Sequence, residues 1–267
     1  MKTVKTKTMY ALALFALLSI TMIGCKSKEE DLPGPQSFGN VNTRVESSAN
    51  AVNYKIYIQD EASATNRKGV VLLGSGNDEN NPTTGSLNGA LEHEVALGLA
   101  KLGYVTAIVA YRDQPALDNG DGGVSWNNNC EMLATDMSNV ANTIITKYGS
   151  GLTRAKVITG GVSYTSYALL SNISVSNTLA DTKGLLATCG GTGQWNAENF
   201  RIPIYSIVCS GNPEGDFSGQ ALYNKITNAT IKANSGFYVD NSCTTHCGGD
   251  VATWSTKMID RVKLWIP

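Results

Sequence analysis

The sequence predicts an α/β protein in which helices cover both faces of a mostly parallel sheet. Short apolar runs typical of buried strands alternate along the chain with segments of helical apolar spacing, the pattern of that architecture. The chain has 267 residues, 42% of them hydrophobic, which is enough for a core of ordinary size in one domain. This apolar content and a net charge of −1 exclude a mainly disordered chain.

Residues 1–24 predict a signal peptide. Three lysines precede an apolar run over residues 9–23, which at about 15 residues is shorter than the roughly 20 that a membrane span needs. The run ends in Met22-Ile23-Gly24-Cys25, which resembles the lipobox of bacterial lipoproteins. The resemblance implies cleavage before Cys25 and a lipid on its thiol. The alternative is an ordinary secretory peptide with a chance cysteine.

Residues 25–50 predict the lipidated Cys25 and a linker. The run Lys26-Ser27-Lys28-Glu29-Glu30-Asp31 resembles the surface-export signal of Bacteroidota lipoproteins, and a plain charged tether fits it as well. Two prolines with several Asn and Ser over 32–50 are typical of a linker. We therefore expect an exported protein, anchored by its lipid to the outer membrane on the periplasmic face or the cell surface, with its folded domain over 51–267.

The first half of this domain predicts three strands and two helices. Residues 54–58 alternate in polarity as a strand does, and 69–73 form the continuous apolar run of a strand buried on both faces. Apolar residues recur at helical spacing over 87–102. A second buried strand follows at 104–110, and helical spacing returns over 131–148.

The second half continues the alternation. A short strand at 155–159 runs through two glycines to Ser163, and a helical stretch follows to about Leu170. The remaining predicted elements are strands at 184–188, 202–209 and 236–239 and helices at 219–227 and 254–265.

The charge balance excludes a nucleic-acid partner. The 21 basic residues face 22 acidic ones, so there is no basic footprint for phosphates. Only two histidines are present, so few side chains are available as a base near neutral pH.

The candidate nucleophile is Ser163, at a predicted strand-to-helix turn. A serine hydroxyl is a weak nucleophile and needs both an adjacent base and an exposed position. A sharp strand–turn–helix supplies the exposure, and the helix after it aims backbone N–H groups at a developing oxyanion. The run Gly160-Gly161-Val162-Ser163-Tyr164-Thr165-Ser166 has the small residues that such a crowded turn needs.

This turn resembles the nucleophile elbow of the α/β-hydrolase superfamily, usually written G-x-S-x-G. The order of elements resembles that fold from about Lys55 to Pro267, with a minimal lid or none. One position departs, since the β-branched Thr165 stands at the second glycine; either the turn is strained or the helix is shifted. The resemblance implies a serine hydrolase whose triad follows the chain order nucleophile, acid, histidine.

The same resemblance assigns the general base to His246, between the last predicted strand and the closing helix. This imidazole would take the Ser163 proton and later deliver it to the leaving group. The other histidine, His93, stands between Glu92 and Glu94 on a predicted helix, where we expect a solvated surface residue.

The triad acid is expected after the strand at 202–209, where it would orient the imidazole and stabilise the imidazolium. The G-x-x-D spacing of the superfamily, counted from Gly211, reaches Glu214. Asp216 is the more usual residue type and lies two positions later. Both carboxylates remain candidates, with Glu214 slightly favoured.

The candidate oxyanion hole has two halves. One is the backbone N–H of Tyr164, and the other comes from the loop after Leu73, with Ser75 and Gly76 as its candidates. Glycines there allow the backbone to approach a ligand closely. The loop is no phosphate cradle, because it lacks both the Lys-Ser/Thr ending and the third glycine of such motifs.

The cleft is expected to be open. About 15 residues separate the strands at Leu185 and Ile204, too few for the helical lid that many relatives insert there. Trp195 in this stretch and Trp126 in the predicted loop 113–129 are candidates to wall an acyl or aromatic group. Bulky or polymeric substrates would then have access.

Cysteine chemistry predicts disulfides and no metal. In an exported protein disulfides are permitted, and an odd number of cysteines beyond Cys25 leaves at least one free. A bridge between Cys243 and Cys247, which flank His246, is our hypothesis. No second cluster has zinc-like spacing, so we expect no metal and no cofactor. The five cysteines are Cys130, Cys189, Cys209, Cys243 and Cys247.

The sequence therefore predicts an exported, lipid-anchored serine hydrolase acting on a small or polymeric carboxylic ester through an acyl-enzyme. It would touch the membrane through its lipid anchor only. The alternatives are a peptidase of the same superfamily and a non-catalytic binding lipoprotein on the same fold.

Overall fold

A computed structural model describes residues 36–60, 67–76, 85–118, 120–149, 151–211 and 217–267. The strands are β1 (Gln36–Phe38), β2 (Val41–Ser47), β3 (Asn53–Gln59), β4 (Val70–Gly74), β5 (Val105–Ala110), β6 (Val157–Val162), β7 (Gly184–Thr188), β8 (Ile204–Cys209) and β9 (Gly236–Asp240). The helices are α1 (Ala90–Lys101), α2 (Val124–Tyr148), α3 (Tyr164–Val175), α4 (Gln194–Glu198), α5 (Gly219–Lys225), α6 (Ala229–Asn234) and α7 (Val251–Trp265).

These strands form one sheet in the order β1-β2-β3-β5-β4-β6-β7-β8-β9. The pairs from β1 to β3, and β3 with β5, are antiparallel. The other five pairs, from β5–β4 to β8–β9, are parallel. The prediction of a mostly parallel sheet is confirmed, and the parallel strands end at one common edge, where an α/β protein places its site.

Both faces of the sheet are buried by helices. One hydrophobic cluster includes Met137 of α2 and Leu169 of α3 with one face of the central strands. The other includes Val95 of α1 and Trp254 of α7 with the opposite face. Strands β4, β5 and β8 are buried along their whole length, which explains their continuous apolar runs.

The predicted linker over residues 25–50 is wrong from residue 36 onwards. Strand β2 pairs with β3 along its whole length, and its Val41 and Thr43 are buried. The alternation in Val41–Ser47 carries the strand signal, which the surrounding Pro, Asn and Ser residues obscured. The predicted signal peptide and Cys25 lie outside the described residues.

Two helix boundaries matter for the site. Helix α2 begins at Val124, so Trp126 lies on a helix and not in the predicted loop. Helix α3 begins at Tyr164 and runs to Val175, further than the predicted end near Leu170. Across the described ranges, no helix combines the length and the apolar character needed to cross a membrane.

Candidate active site

The structure brings Ser163 and His246 together. Ser163 Oγ lies 2.8 Å from His246 Nε2, although 83 positions separate the two residues. Ser163 is half-buried and His246 is exposed. A hydroxyl in this contact can lose its proton to the imidazole as it attacks an electrophile.

Ser163 occupies a strained turn between β6 and α3. Its φ of 51° and ψ of −117° fall outside the regions that residues with a side chain prefer. Such a conformation costs about 1–3 kcal/mol and persists only where the surroundings impose it. Here the Ser163 N–H donates to the Thr188 carbonyl of β7, and the Ser163 carbonyl accepts the Tyr167 N–H of α3. The hydroxyl is thereby presented at the apex of the turn.

Ser166 holds the start of α3 against the sheet. Its hydroxyl lies 2.5 Å from the Gly161 carbonyl and 2.9 Å from the Thr188 carbonyl, and it accepts the Thr188 N–H at 2.8 Å. The side chain is fully buried. This role could not be predicted from the sequence, because a serine in a first helical turn gives no signal about a partner on another strand.

Thr165 is accommodated without displacing the helix, since α3 begins directly after Ser163. Two glycines leave room for it. A Cβ added to Gly161 would lie 2.2 Å from Thr165 Cγ2, and one added to Gly74 would lie 2.7 Å from the same atom. The two strands therefore supply the space that a glycine at position 165 would otherwise provide.

The loop after β4 lies over the nucleophile. A Cβ added to Gly76 would lie 3.1 Å from Ser163 Cβ, so only a bare backbone fits there without displacing a neighbour. The Ser75 side chain is buried, and its Oγ accepts the Ser86 N–H at 2.7 Å. Tyr164, the other predicted contributor, is the first residue of α3. Backbone N–H groups of Tyr164 and Gly76 are thus the candidates to face an oxyanion.

Two disulfides hold the loop that carries His246. They join Cys189 to Cys247 and Cys209 to Cys243, so the hypothesis of a Cys243–Cys247 bridge is wrong. Each bridge connects the loop to the end of a parallel strand, β7 or β8. Among the cysteines in the described part of the chain, Cys130 alone is free, and it is buried.

A buried carboxylate fixes the start of the same loop. Asp240, at the end of β9, accepts the Ser242 hydroxyl at 2.7 Å and the Trp254 indole N–H at 2.7 Å. The Ser242 hydrogen bond in particular lowers the pKa of Asp240 below its usual range. At the other end of the loop, Asp250 caps α7 by accepting the Thr253 N–H.

Both candidate acids, Glu214 and Asp216, lie outside the described residues. The chain leading to them passes beside the histidine loop. The Gly211 N–H donates to the Cys243 carbonyl at 3.1 Å, and a Cβ on Gly211 would lie 2.8 Å from Thr244 Cα. Gly211, the last residue described before this segment, therefore lies next to the His246 loop.

Trp126 and Trp195, the two tryptophans predicted to line the cleft, differ in their surroundings. Trp126 packs edge-on against Tyr164, with ring centroids 5.9 Å apart, and Tyr111 stacks on Tyr164 at 6.2 Å. Trp126 thus belongs to a cluster beside the nucleophile. Trp195 lies on α4 and is 60% exposed.

His93 is not the solvated residue that we predicted. It is half-buried, its Nδ1 lies 2.8 Å from the Tyr57 hydroxyl, and its ring packs against Phe38. Strand β1, which lies in the segment predicted as linker, contributes to this burial because it supplies Phe38. Its neighbour Glu92 is also buried, which raises the pKa of that carboxyl to about 7.

Metal ligands do not cluster in the described ranges: no group of three or more His, Cys, Asp or Glu side chains there could hold an ion.

Known structures share this architecture. No family model and no curated protein sequence matches the chain. A cold-adapted esterase from an Arctic intertidal metagenomic library is 14% identical, with a TM-score of 0.61 over 89% of this chain and 100% of its own. An esterase from Pyrococcus furiosus is 10% identical, with a TM-score of 0.55 and the same two coverages. An acylaminoacyl peptidase from Pyrococcus horikoshii is 11% identical, with a TM-score of 0.57 over 88% of this chain and 42% of its own. These likenesses and the sheet order give the chain the α/β-hydrolase fold.

Proposed function

We propose that the chain is a serine hydrolase that cleaves carboxylic esters. The contact of 2.8 Å between Ser163 Oγ and His246 Nε2, at a strained strand-to-helix turn, is the observation that carries the proposal. A serine held in an unfavourable conformation with its hydroxyl on an imidazole has little structural purpose, whereas a nucleophile needs both features.

The geometry supports a two-step reaction. His246 Nε2 takes the hydroxyl proton as Ser163 Oγ attacks the ester carbonyl, and the carbonyl oxygen becomes an oxyanion facing the Tyr164 and Gly76 N–H groups. The tetrahedral species collapses to an acyl-enzyme, and the imidazolium gives its proton to the departing alcohol. Water, activated by the same imidazole, then releases the acid. Glu214 or Asp216 would orient the imidazole throughout.

The likeness to solved esterases supports an ester as the substrate. The cold-adapted esterase and the Pyrococcus furiosus esterase share the fold over 89% of this chain. The β7–β8 connection over residues 189–203 contains only the five-residue helix α4, so this connection supplies no lid. We propose a small-molecule or polymeric ester as the substrate.

The N-terminal motifs support a proposal about where in the cell the protein acts. We propose that Cys25 carries a lipid, as in lipoproteins of the Bacteroidota type, and that the protein is exported to the outer membrane. Labelling of cells with a palmitate analogue tests this: the wild type should take up the label and Cys25→Ser should not.

A fluorophosphonate probe tests the chemistry. The wild type should be labelled and Ser163→Ala should not, while Ser37→Ala, on exposed β1, should be labelled like the wild type. Labelling of Ser163→Ala, or no labelling of the wild type, would contradict the proposal. Rates on nitrophenyl esters, acetylated sugars and peptide anilides then separate an esterase from a peptidase. An unlabelled protein that binds esters without hydrolysing them would be the non-catalytic alternative.

A further inference from the structure

We propose that Thr165 is a positioning residue for the oxyanion hole: its hydroxyl fixes the Ser75–Gly76 peptide and thereby orients the Gly76 N–H towards the oxyanion. The inference rests on the proposed serine-hydrolase function and adds a residue to it. It also accounts for a threonine at the position where the elbow pattern has glycine.

The Thr165 hydroxyl contacts the backbone of the loop after β4. Thr165 is fully buried, and its hydroxyl donates to the Ser75 carbonyl at 2.6 Å. The Tyr111 hydroxyl donates to the same oxygen at 3.2 Å. A carbonyl oxygen has two lone pairs, so these two donors saturate it. The Ser75 side chain is held separately by the Ser86 N–H. Ser75 is therefore fixed through both its backbone and its side chain.

The Ser75–Gly76 peptide unit links the orientation of the Ser75 carbonyl to that of the Gly76 N–H. The peptide unit is planar, and no cis peptide bond occurs in the described ranges, so the Ser75 carbonyl and the Gly76 N–H point in opposite directions. Fixing the carbonyl on the buried Thr165 hydroxyl therefore fixes the Gly76 N–H on the other side of the loop. Gly76 is the residue whose backbone approaches Ser163, as the distance of 3.1 Å from its added Cβ to Ser163 Cβ indicates.

The space around position 165 fits a threonine side chain. The Thr165 methyl group occupies the room above Gly74 and Gly161, where an added Cβ would lie 2.7 and 2.2 Å from Thr165 Cγ2. Its hydroxyl supplies the hydrogen bond. Thr165→Val would keep the shape and lose the hydroxyl donor, and Thr165→Ser would keep the hydroxyl and lose the methyl group. These two substitutions therefore separate packing from positioning.

The energetic consequence concerns the transition state. An oxyanion exists only after the nucleophile has attacked, so a misoriented N–H lowers kcat and leaves substrate binding nearly unchanged. Loss of a whole oxyanion donor costs about 10²–10³-fold in kcat. Because Thr165→Val keeps the Gly76 N–H but loosens its orientation, we expect a loss of roughly 10–100-fold in kcat.

The experiment compares the wild type with Thr165→Val and Thr165→Ser. On a nitrophenyl ester, Thr165→Val should lose kcat with KM within about 2-fold, and its affinity for a boronic acid that forms a tetrahedral adduct should fall in parallel. Thr165→Ser should keep most of the wild-type kcat. Equal kcat in Thr165→Val and the wild type, or an equal loss in both variants, would overturn the proposal.

A second measurement does not depend on activity. In protein labelled with ¹⁵N-glycine, the order parameter of the Gly76 amide should fall in Thr165→Val and return in Thr165→Ser. An unchanged order parameter in Thr165→Val would reject the positioning role, whether or not the wild type hydrolyses esters. Fluorophosphonate labelling of the wild type against Ser163→Ala decides the proposed function on its own, so the two failures are distinguishable.

Discussion

Cys247 is bonded to Cys189, and this disulfide links the candidate base to the strand beside the nucleophile. Cys247 directly follows His246, and Cys189 directly follows Thr188, whose carbonyl accepts the Ser163 N–H at 2.8 Å. The chain positions of the two cysteines are 58 apart. The disulfide and this hydrogen bond thus connect the backbone beside His246 to the backbone of Ser163.

Removal of this bridge should cost activity as well as stability. The double variant Cys189→Ser/Cys247→Ser should lose about 2–4 kcal/mol of unfolding free energy, the usual contribution of a disulfide. It should also lose roughly 10-fold or more in kcat, because the imidazole is no longer fixed over the hydroxyl. Urea unfolding and ester kinetics measure the two effects. A variant that is destabilised but keeps wild-type kcat below its unfolding midpoint would show that the bridge has no positioning role.

The two histidines form a matched pair of variants. His246→Gln should lose at least about 10³-fold in kcat, since the proposed proton acceptor of Ser163 is removed. His93→Gln, whose ring contacts Tyr57 and Phe38, should retain the wild-type kcat. Steady-state ester hydrolysis measures both. A large loss of kcat in His93→Gln at an unchanged melting temperature would assign the general base to His93.

One pair of isosteric variants distinguishes the two candidates for the triad acid. Glu214→Gln should lose roughly 10³–10⁴-fold in kcat, because an amide no longer stabilises the imidazolium. Asp216→Asn should stay within a few-fold of the wild type. Single-substrate kinetics at pH 8 distinguish the two. The reverse result would assign the acid to Asp216, and small losses in both would exclude the segment after β8 as its source.

Crowding around Thr165 predicts a strong effect at Gly161. An alanine Cβ there would lie 2.2 Å from Thr165 Cγ2 and 2.7 Å from the Gly74 carbonyl oxygen, so backbone must move. We expect Gly161→Ala to lose about 1–3 kcal/mol of unfolding free energy. Gly193→Ala, where an added Cβ meets nothing within 4 Å, is the control. Equal unfolding midpoints for both variants in urea would contradict the packing described for the elbow.

Burial of Glu92 should make stability depend on pH. Its folded pKa of about 7 lies above the usual value of 4.5 for a glutamate, so between these values the folded state binds more protons than the unfolded state. Stability should therefore fall as pH rises from about 4.5 to 7, by up to roughly 3 kcal/mol. Glu92→Gln should remove this part of the pH dependence, and Glu94→Gln, an exposed neighbour, should not. Parallel pH profiles of unfolding free energy for Glu92→Gln and the wild type would refute this.

Much of the architecture could be predicted because it depends on local patterns. Continuous apolar runs identified β4 and β5, and small residues before Ser163 identified the turn at which β6 meets α3. The pattern failed at β2, whose strand signal lies within a polar segment and is completed by pairing with β3. Strand β2 lies near the edge of the sheet and buries only some of its side chains, so its run is less apolar than that of a central strand.

The sequence alone determined the candidate chemical groups: a serine at a predicted strand-to-helix turn, a histidine before the last helix, and two carboxylates between them in the chain. Only the tertiary structure decided which groups meet. It paired Cys247 with Cys189 instead of Cys243, and it placed the Thr165 hydroxyl on the Ser75 carbonyl. Such contacts join residues far apart in the chain, and their distances depend on how parallel strands end together at one edge of the sheet. Local residue spacing does not encode that arrangement.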